Sequence, residues 1–309
     1  MSSPAVFLIG TIGSWMYFLP LFLTLGTAVF LALLCRKKGK VFTEKLVLWL
    51  LWGNFALHFL KQLNPYYWEE FPFALSRSSM ENLCAITILF GPFLYHFGGK
   101  YGRDFLYYIG VVSGIVALIF PTGALGRDPG NLKDFLEITR YYVCHCALIY
   151  AGILIVAGGL HESNYRRLVA LPALFLAQEA LVLFNSLFLI LIRFPGWPLE
   201  FAGAFARDSW VNQSMQVGPQ AVMDGIFGPA YPYMFIPGLQ VIHTSEGLFF
   251  VPVLWLLPFS LLSVFIAGIF MIGKEEYRHI RVDYAVFKMR KAVREKEKRA
   301  RLALEENEK

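Results

Sequence analysis

The chain has 309 residues, of which 57% are hydrophobic and only 16% are charged. Soluble domains carry about 25% charged residues, so this composition excludes an ordinary soluble domain and favours a polytopic membrane protein. The net charge of +6 belongs mainly to residues 274–309, which hold 12 Lys or Arg and 8 Asp or Glu and therefore carry +4. The rest of the chain is nearly neutral, so nucleic acid is not an expected partner.

Seven apolar stretches follow one another along the chain, each close to the ~20 residues that a helix needs to cross the hydrocarbon core. We therefore predict an all-α bundle of about seven transmembrane helices, within a transmembrane domain of residues 1–272. A basic helical tail, residues 273–309, follows this domain, and residues 243–246 are expected to cap the last span. The predicted spans are 5–35, 43–63, 80–98, 104–122, 136–160, 168–192 and 247–272.

Positively charged residues mark one side of this predicted bundle. Lys and Arg cluster between the first two spans and after the third, fifth and last spans, in segments that all face the same side. Because cytoplasmic loops carry the excess of Lys and Arg, we predict an N-terminus outside and a cytoplasmic tail. The membrane would be a bacterial plasma membrane or an endoplasmic reticulum membrane.

The longest connection, residues 193–246, is rich in Pro, Gly and aromatic residues. We expect it on the outer side, as short interfacial or re-entrant pieces. The charged tail fits two arrangements, a helix lying near anionic headgroups and a helix surrounded by water.

Polar residues from several spans reach a similar depth, in the outer leaflet. Polar groups within the hydrocarbon region are costly and usually mark a site. Cys84 lies one turn inside the third span, and His145 lies in the outer half of the fifth. A thiol beside a histidine is a candidate pair of nucleophile and base. The other residues at this depth are Asn54, His58, Lys61, Gln62, Glu81, Asn82, Thr122, Arg140, Tyr141, Asn185 and Ser186.

Each of these residues also has a purely structural interpretation. A transmembrane cysteine is often a small inert hydrophobe, a histidine can be a hydrogen-bonded packing residue, and an asparagine often joins two helices. Cys144 and Cys146 are two residues apart, so on a helix they point about 200° apart and do not form a metal clip. The four cysteines do not resemble a secreted disulfide framework. We expect no metal and no cofactor.

Three fragments resemble a known family. They are Asn82-Leu83-Cys84 at the start of a span, His145 in a later span, and the stretch Gly228-Pro229-Ala230-Tyr231-Pro232-Tyr233 before the last span. Over about residues 40–272 the chain resembles the YwaF-type integral membrane family, which includes the eukaryotic transmembrane protein 164 group. In that family a His-Leu-Cys motif opens one span, a Thr-Pro pair ends another, a His follows, and a Gly-Pro-Trp-Pro-like stretch precedes the final span.

This chain departs from the family's pattern at three places. Asn82 stands where the motif has its His, Pro121-Thr122 reverses the Thr-Pro pair, and Ala230 interrupts the last motif. Cys84 and His145 keep the family's residues.

The resemblance implies lipid acyl chemistry. The eukaryotic relatives are implicated in cysteine-dependent acyl transfer on ether lipids, and more distant relatives with a Thr/His pair hydrolyse fatty-acid esters. We expect Cys84 to attack an ester and His145 to take the thiol proton. The expected partners are membrane lipids, either a phospholipid or a fatty-acyl ester. The expected substrate-binding residues are His58, Lys61, Asn82, Thr122, Arg140, Tyr141, Asn185 and Tyr233.

Two other functions stay open. A small-solute or ion-coupled transporter would line a polar path with Gln178, Glu179 and Asn185 on one helix and with His58 and Lys61 on another. Against it, the sequence has no paired inverted repeats. A seven-span receptor or assembly protein without chemistry would use the same residues only for stability or for binding a partner.

Overall fold

A computed structural model shows a mostly helical protein with one short β-hairpin. It describes residues 15–69, 73–119, 121, 124, 127–194, 214, 216–218, 235–245, 247–271 and 273–307. The helices are α1 (Trp15–Lys38), α2 (Lys40–Leu60), α3 (Pro65–Glu69), α4 (Leu83–Phe97), α5 (Gly99–Phe105), α6 (Val111–Ile119), α7 (Leu132–Ala157), α8 (Leu171–Leu191), α9 (Leu257–Met271) and α10 (Lys274–Asn307). The strands are β1 (Val241–Thr244) and β2 (Gly247–Phe250).

Long apolar helices dominate the part of the chain that the structure describes. Five of them have the length and composition to cross a membrane: Tyr17–Lys38, Lys40–Leu63, Gly99–Ile119, Leu132–Ala157 and Tyr165–Leu191. Two shorter apolar helices, Leu83–Phe97 and Leu254–Gly268, occupy the third and seventh predicted spans. The prediction of a multi-pass helical membrane protein is confirmed, while the count of seven spans stays a prediction.

The outer surface of these helices is apolar. Phe22, Trp49 and Leu191 are 70%, 77% and 80% exposed, and they belong to three different helices. Large exposed apolar areas are rare on soluble monomers. Hydrocarbon tails, not water, are the natural neighbours of such a surface.

The segment before the last apolar helix differs from the prediction. Residues 247–250 form strand β2, which pairs antiparallel with β1, with Val241 opposite Phe250 and Thr244 opposite Gly247. The prediction of one helix from residue 247 was therefore wrong, as was the expectation that 243–246 caps it. Branched and aromatic residues on both sides of a short turn favour a hairpin, and here Val241 and Phe250 pack into a buried cluster with Trp255.

The centre of the bundle is formed by α2, α4 and α7. Val47 and Leu51 of α2 pack with Tyr95 of α4 and with Leu154 and Ile155 of α7. This packing holds together the C-terminal ends of α4 and α7, and Cys84 lies at the other end of α4.

Two glycines bring α6 and α7 into close contact. A Cβ on Gly114 would lie 2.6 Å from Ile149 Cγ1 and 3.0 Å from the backbone oxygen of His145, and one on Gly152 would lie 2.5 Å from Val111 Cγ2. Small residues allow helix backbones to approach closely within a membrane. The contact at Gly114 therefore fixes the position of the turn of α7 that carries His145.

Candidate functional site

Cys84 is the second residue of α4, and the end of this helix is closed by hydrogen bonds on either side of it. Asn82 is the N-cap, and its Oδ1 accepts from the backbone N–H of Ala85 at 2.8 Å. The N–H of Leu83 donates to Ser214 Oγ at 3.1 Å, and that of Ile86 donates to the Asn82 carbonyl at 3.0 Å. The N–H of Cys84 itself has no hydrogen-bond acceptor among the described residues.

Two effects act on the sulfur of Cys84 in opposite directions, because burial disfavours a negatively charged sulfur and the start of a helix favours one. The first turn of a helix carries a partial positive charge from its backbone N–H groups, and cysteines at such positions form thiolates more readily. The thiol is a free cysteine of intermediate exposure, whereas the residues of the next turn, 85–88, are buried. Cys84 thus lies at the edge of the packed interior.

His145 lies in α7 with only 7% of its surface exposed. Its Nδ1 is 2.7 Å from the backbone oxygen of Tyr141, one turn earlier. A carbonyl oxygen can only accept, so Nδ1 carries the ring proton, and in the neutral imidazole Nε2 then holds a free lone pair. Nε2 has no hydrogen-bond partner in the part of the chain that the structure describes. This is the tautomer that a general base needs.

Tyr141 connects the imidazole to the neighbouring helix. Its ring lies 4.3 Å from the ring of His145, centroid to centroid, and its hydroxyl donates to the Ala117 carbonyl at 2.7 Å. Because that hydrogen is already used, the hydroxyl holds the Tyr141 ring in place beside His145. The expectation that Tyr141 binds substrate stays a prediction.

Helices α4 and α7 bring Cys84 close to the turn that carries Tyr141, Cys144 and His145. The Cys84 thiol lies near the Tyr141 hydroxyl and the Cys144 thiol, and one turn further along α4 Ile88 packs against Cys144. Among the described residues no hydrogen bond joins the Cys84 sulfur to the His145 ring. The catalytic pairing of these two residues stays a prediction.

A group of charged side chains lies at the same end of the bundle. We call it the charge cluster, and it consists of Lys61, Arg77, Glu81, Glu137 and Arg140. Lys61 is only 5% exposed; its Nζ lies 3.5 Å from Glu81 Oε1 and donates to the backbone oxygen of Arg77. The three cations and two carboxylates leave one net positive charge if all five are ionised.

Within the charge cluster, Arg140 and Glu137 are joined by two hydrogen bonds. Two guanidinium nitrogens of Arg140 donate to the Glu137 carboxylate. Nε donates to Oε2 at 2.9 Å, and Nη2 donates to Oε1. The Tyr67 hydroxyl, from the connection between α2 and α4, also donates to Glu137 Oε1 at 3.0 Å. Burial raises the pKa of Tyr67, so its hydroxyl stays protonated and this bond persists at neutral pH.

His58 and Asn185 hold the segment that leads into α4. The His58 Nε2 donates to the Ser78 carbonyl at 3.1 Å, and the Asn185 Nδ2 donates to Ser79 Oγ at 2.9 Å. Gln62 adds a third bond, from Nε2 to Ser78 Oγ at 2.8 Å. These side chains therefore fix the approach to Cys84 from two helices, α2 and α8.

The polar interior continues beyond Cys84. Gln178 of α8 donates to Thr87 Oγ1 at 2.9 Å, on the turn of α4 that follows the thiol. Glu179 has 0% exposure, and Gln216 donates to its backbone oxygen at 2.6 Å and lies 3.4 Å from its Oε2. Oε1 of Glu179 has no partner among the described residues. Residues 214 and 216 of the long connection thus reach into the bundle.

Sequence reasoning missed Tyr67, Ser78, Ser79 and Glu137. Glu137 lies three residues before Arg140, so it shares a helix face with it, and this spacing could have indicated the ion pair. The two serines and Tyr67 carry no periodic signal. Two expected substrate contacts, Thr122 and Tyr233, lie outside the described residues, as does the stretch Gly228 to Pro232. Among the described residues no group of three or more His, Cys, Asp or Glu is arranged to hold a metal ion.

The protein is a multi-pass integral membrane protein. Its long apolar helices expose an apolar surface, and its polar groups gather inside one end of the bundle. Comparison with known families gives a more specific result. The chain belongs to the TMEM164 family, which matches residues 8–242, a range that includes Cys84, His145 and the whole charge cluster. The resemblance to the transmembrane protein 164 group is therefore confirmed. No curated protein and no solved structure matches the chain.

Proposed function

We propose that the protein is a lipid acyltransferase or esterase in which Cys84 is the nucleophile and His145 is the general base. One observation carries this proposal. The thiol of Cys84 lies in the first turn of α4, where the backbone N–H of the same residue has no acceptor among the described residues. The neighbouring turn of α7 carries His145, whose Nδ1 holds the ring proton and whose Nε2 has no partner in the described part of the chain. The three groups correspond to nucleophile, oxyanion donor and base.

In the first step His145 Nε2 takes the proton of the Cys84 thiol, and the sulfur attacks the ester carbonyl carbon of a lipid. The carbonyl oxygen becomes an oxyanion, to which the Cys84 N–H donates; one such donor contributes about 3–4 kcal/mol to transition-state stabilisation. When the intermediate collapses, the carbon–oxygen bond breaks, the alcohol leaves with the proton from His145, and an acyl thioester stays on Cys84.

In the second step His145 takes a proton from an acceptor hydroxyl, whose oxygen attacks the thioester. The carbon–sulfur bond breaks, and the proton returns to the sulfur. If the acceptor is water the product is a fatty acid, and if it is a second lipid the product is a new ester.

The charge cluster supports a phospholipid as the acyl donor. Its net charge of one positive unit complements the single negative charge of a phosphodiester. Arg140 lies one turn of α7 before Cys144, next to Tyr141, so a headgroup there would be close to the sulfur of Cys84. Arg is well suited to bind phosphate because its planar fork can donate two bonds at once.

We further propose seven spans, with the N-terminus outside and the tail cytoplasmic. Support comes from the end of the bundle opposite Cys84, where basic segments meet. A Cβ on Gly159 would lie 3.4 Å from Cε of Lys40, and Arg103 Nη1 donates to the Leu160 carbonyl at 3.1 Å. Turns that are distant in sequence thus concentrate their Lys and Arg at one end, as in cytoplasmic loops.

The orientation can be tested with a cysteine at residue 298, on the exposed part of α10. In sealed right-side-out vesicles a membrane-impermeant maleimide is expected to label Lys298→Cys only after the vesicles are opened. The unsubstituted protein gives the background from the native thiols. Labelling of the intact vesicles would show that the tail is outside.

The proposed chemistry is tested by isolating the acyl-enzyme. Purified protein incubated with a phospholipid carrying a radiolabelled acyl chain is expected to form a covalent adduct on the peptide that contains Cys84, and neutral hydroxylamine should release it. The variant His145→Gln is expected to form it about 10²-fold more slowly, in line with the loss of a general base. The control His96→Gln removes an exposed histidine of α4 and should form it normally. No adduct, or an adduct on another residue, would exclude Cys84 as the nucleophile.

A further inference from the structure

A polar cavity lies at the end of the bundle opposite Cys84. Its volume is about 440 Å³, and it opens between the start of α5, the connection from α7 to α8, and α10. We call it the basic cavity; its lining includes Lys100, Arg103, His161, Glu162, Arg167 and His279. Helix α4 separates it from the Cys84 site, and 15 residues of α-helix span about 22 Å.

Two of its cations are held in fixed positions. The Arg103 guanidinium lies 4.8 Å from the centre of the Tyr95 ring, and its Nη1 donates to the Leu160 carbonyl. Arg167 pairs with the buried carboxylate of Asp104, and its Nη2 also donates to the Glu162 carbonyl at 2.6 Å. Because these guanidinium groups are already ordered, a ligand that binds them does not lose the full side-chain entropy.

The third cation is exposed and free to meet a ligand. Lys100 makes no hydrogen bond or ion pair with any residue that the structure describes. Among the lining residues Lys100, Arg103 and Arg167 outnumber one carboxylate, Glu162, while Asp104 and Glu276 are buried behind the lining. The open face of the cavity is therefore positively charged, and an anion would complement it.

The C-terminal helix is fixed against the rim of the basic cavity. Glu276, with 2% exposure, accepts from the Tyr108 hydroxyl at 3.1 Å and from Ser163 Oγ, and Asp283 pairs with Arg166. His279 lies between these two anchors on α10 and faces the cavity. A ligand in the cavity would therefore contact the bundle and α10 together.

We propose that the basic cavity binds a phosphate ester. Ligand pockets typically measure about 300–1,000 Å³, so 440 Å³ accommodates a phosphate group with a small polar substituent. Arg and Lys are well suited to bind phosphate, and His279 offers a further ring nitrogen, whereas the Nε2 of His161 pairs with Asp104 Oδ1 at 2.7 Å. Both a lipid headgroup and a soluble phosphate ester have this chemistry. The site is independent of the acyl chemistry at Cys84.

Binding can be measured on the full chain, purified in a phosphate-free maltoside detergent. The probes are sn-glycerol 3-phosphate, a soluble ester, and dioctanoyl phosphatidic acid, a lipid with the same phosphate group. We expect saturable binding of at least one probe, and an affinity about tenfold lower in Lys100→Gln, as for the loss of one charge-assisted hydrogen bond. Binding of the lipid alone would identify a headgroup site, and binding of the soluble ester would identify a site for a soluble metabolite.

The matched controls separate a defined site from general attraction to positive charge. Lys298→Gln removes one charge from an exposed position of α10 outside the cavity and is expected to bind as the unsubstituted protein does. His279→Gln changes a cavity residue without changing the fixed arginines and should weaken binding. Equal affinities of Lys100→Gln and Lys298→Gln, or no saturable binding of either probe, would overturn the proposal. The readout is binding and not activity, so it does not depend on whether Cys84 is a nucleophile.

Discussion

The variant Cys84→Ser is expected to lose acyl-transfer or ester-hydrolysis activity by about 10³-fold or more, as enzymes do when their nucleophile is removed. A thiol is intrinsically more nucleophilic and loses its proton to a histidine more readily than a serine hydroxyl does. The replacement keeps the shape of the side chain and leaves the hydrogen bonds of Asn82 and Ser214 to the first turn of α4 intact. Release of a radiolabelled acyl chain from phospholipid vesicles measures the effect.

Cys146 provides a control on the same helix as His145. Its sulfur lies 3.1 Å from Thr24 Oγ1, in contact with α1, and it has the same intermediate exposure as Cys84. Cys146→Ser is expected to keep the activity of the unsubstituted protein. If Cys84→Ser also retains full activity, Cys84 is not the nucleophile, and the polar end of the bundle has another role.

The positions of the long helices could be predicted from hydropathy because apolar runs of this length have few alternatives in a protein. The fifth predicted span, 136–160, overlaps α7 at Leu132–Ala157, and the sixth, 168–192, overlaps α8 at Leu171–Leu191. Their ends differ by a few residues because caps and short 3₁₀ turns, such as Tyr165–Ala170, decide where a helix starts. The hairpin was missed because its apolar residues also fit the start of a span.

The candidate site was predictable in its residue types and its depth, but not in its pairings. Lys61 was expected to bind substrate, and the structure shows it buried against Glu81 and the Arg77 carbonyl. Asn82 was expected to bind substrate, and its Oδ1 caps α4. These roles depend on which side chains the fold brings together across the chain, and a single sequence does not contain that information.

The same limit applies to His145. Its place in a span made it a candidate base, but its protonation state follows from one contact, the acceptor oxygen of Tyr141 beside Nδ1. That oxygen is on the same helix, four residues earlier, so the geometry of α7 fixes the tautomer before any substrate binds. The close contact at Gly114 and the bond from Tyr141 to Ala117 then hold the turn in place.

The buried ion pair between Glu137 and Arg140 is expected to make a large contribution to the stability of the folded protein. Glu137→Gln keeps the size of the side chain but removes the charge opposite Arg140, whose side chain is only 20% exposed. Removing one partner of a buried ion pair typically costs about 3–5 kcal/mol, because the other charge stays buried without compensation. We expect the midpoint of thermal unfolding in detergent to fall by about 5 °C or more. A thiol-reactive fluorescent dye can follow this transition, since Cys35 and Cys144 are each 1% exposed and react only when the fold opens.

Two further variants identify the cause of this loss. Glu295→Gln breaks an exposed ion pair of α10, whose partners Glu295 and Lys291 are 57% and 67% exposed, and surface pairs contribute only about 0–1 kcal/mol. The double variant Glu137→Gln with Arg140→Met removes both buried charges and is expected to regain most of the lost stability. Equal midpoints for Glu137→Gln and Glu295→Gln would mean that water reaches Arg140 freely. In that case the charge cluster is an open surface feature, and a single positive charge there would attract a phosphodiester only weakly, since water screens it.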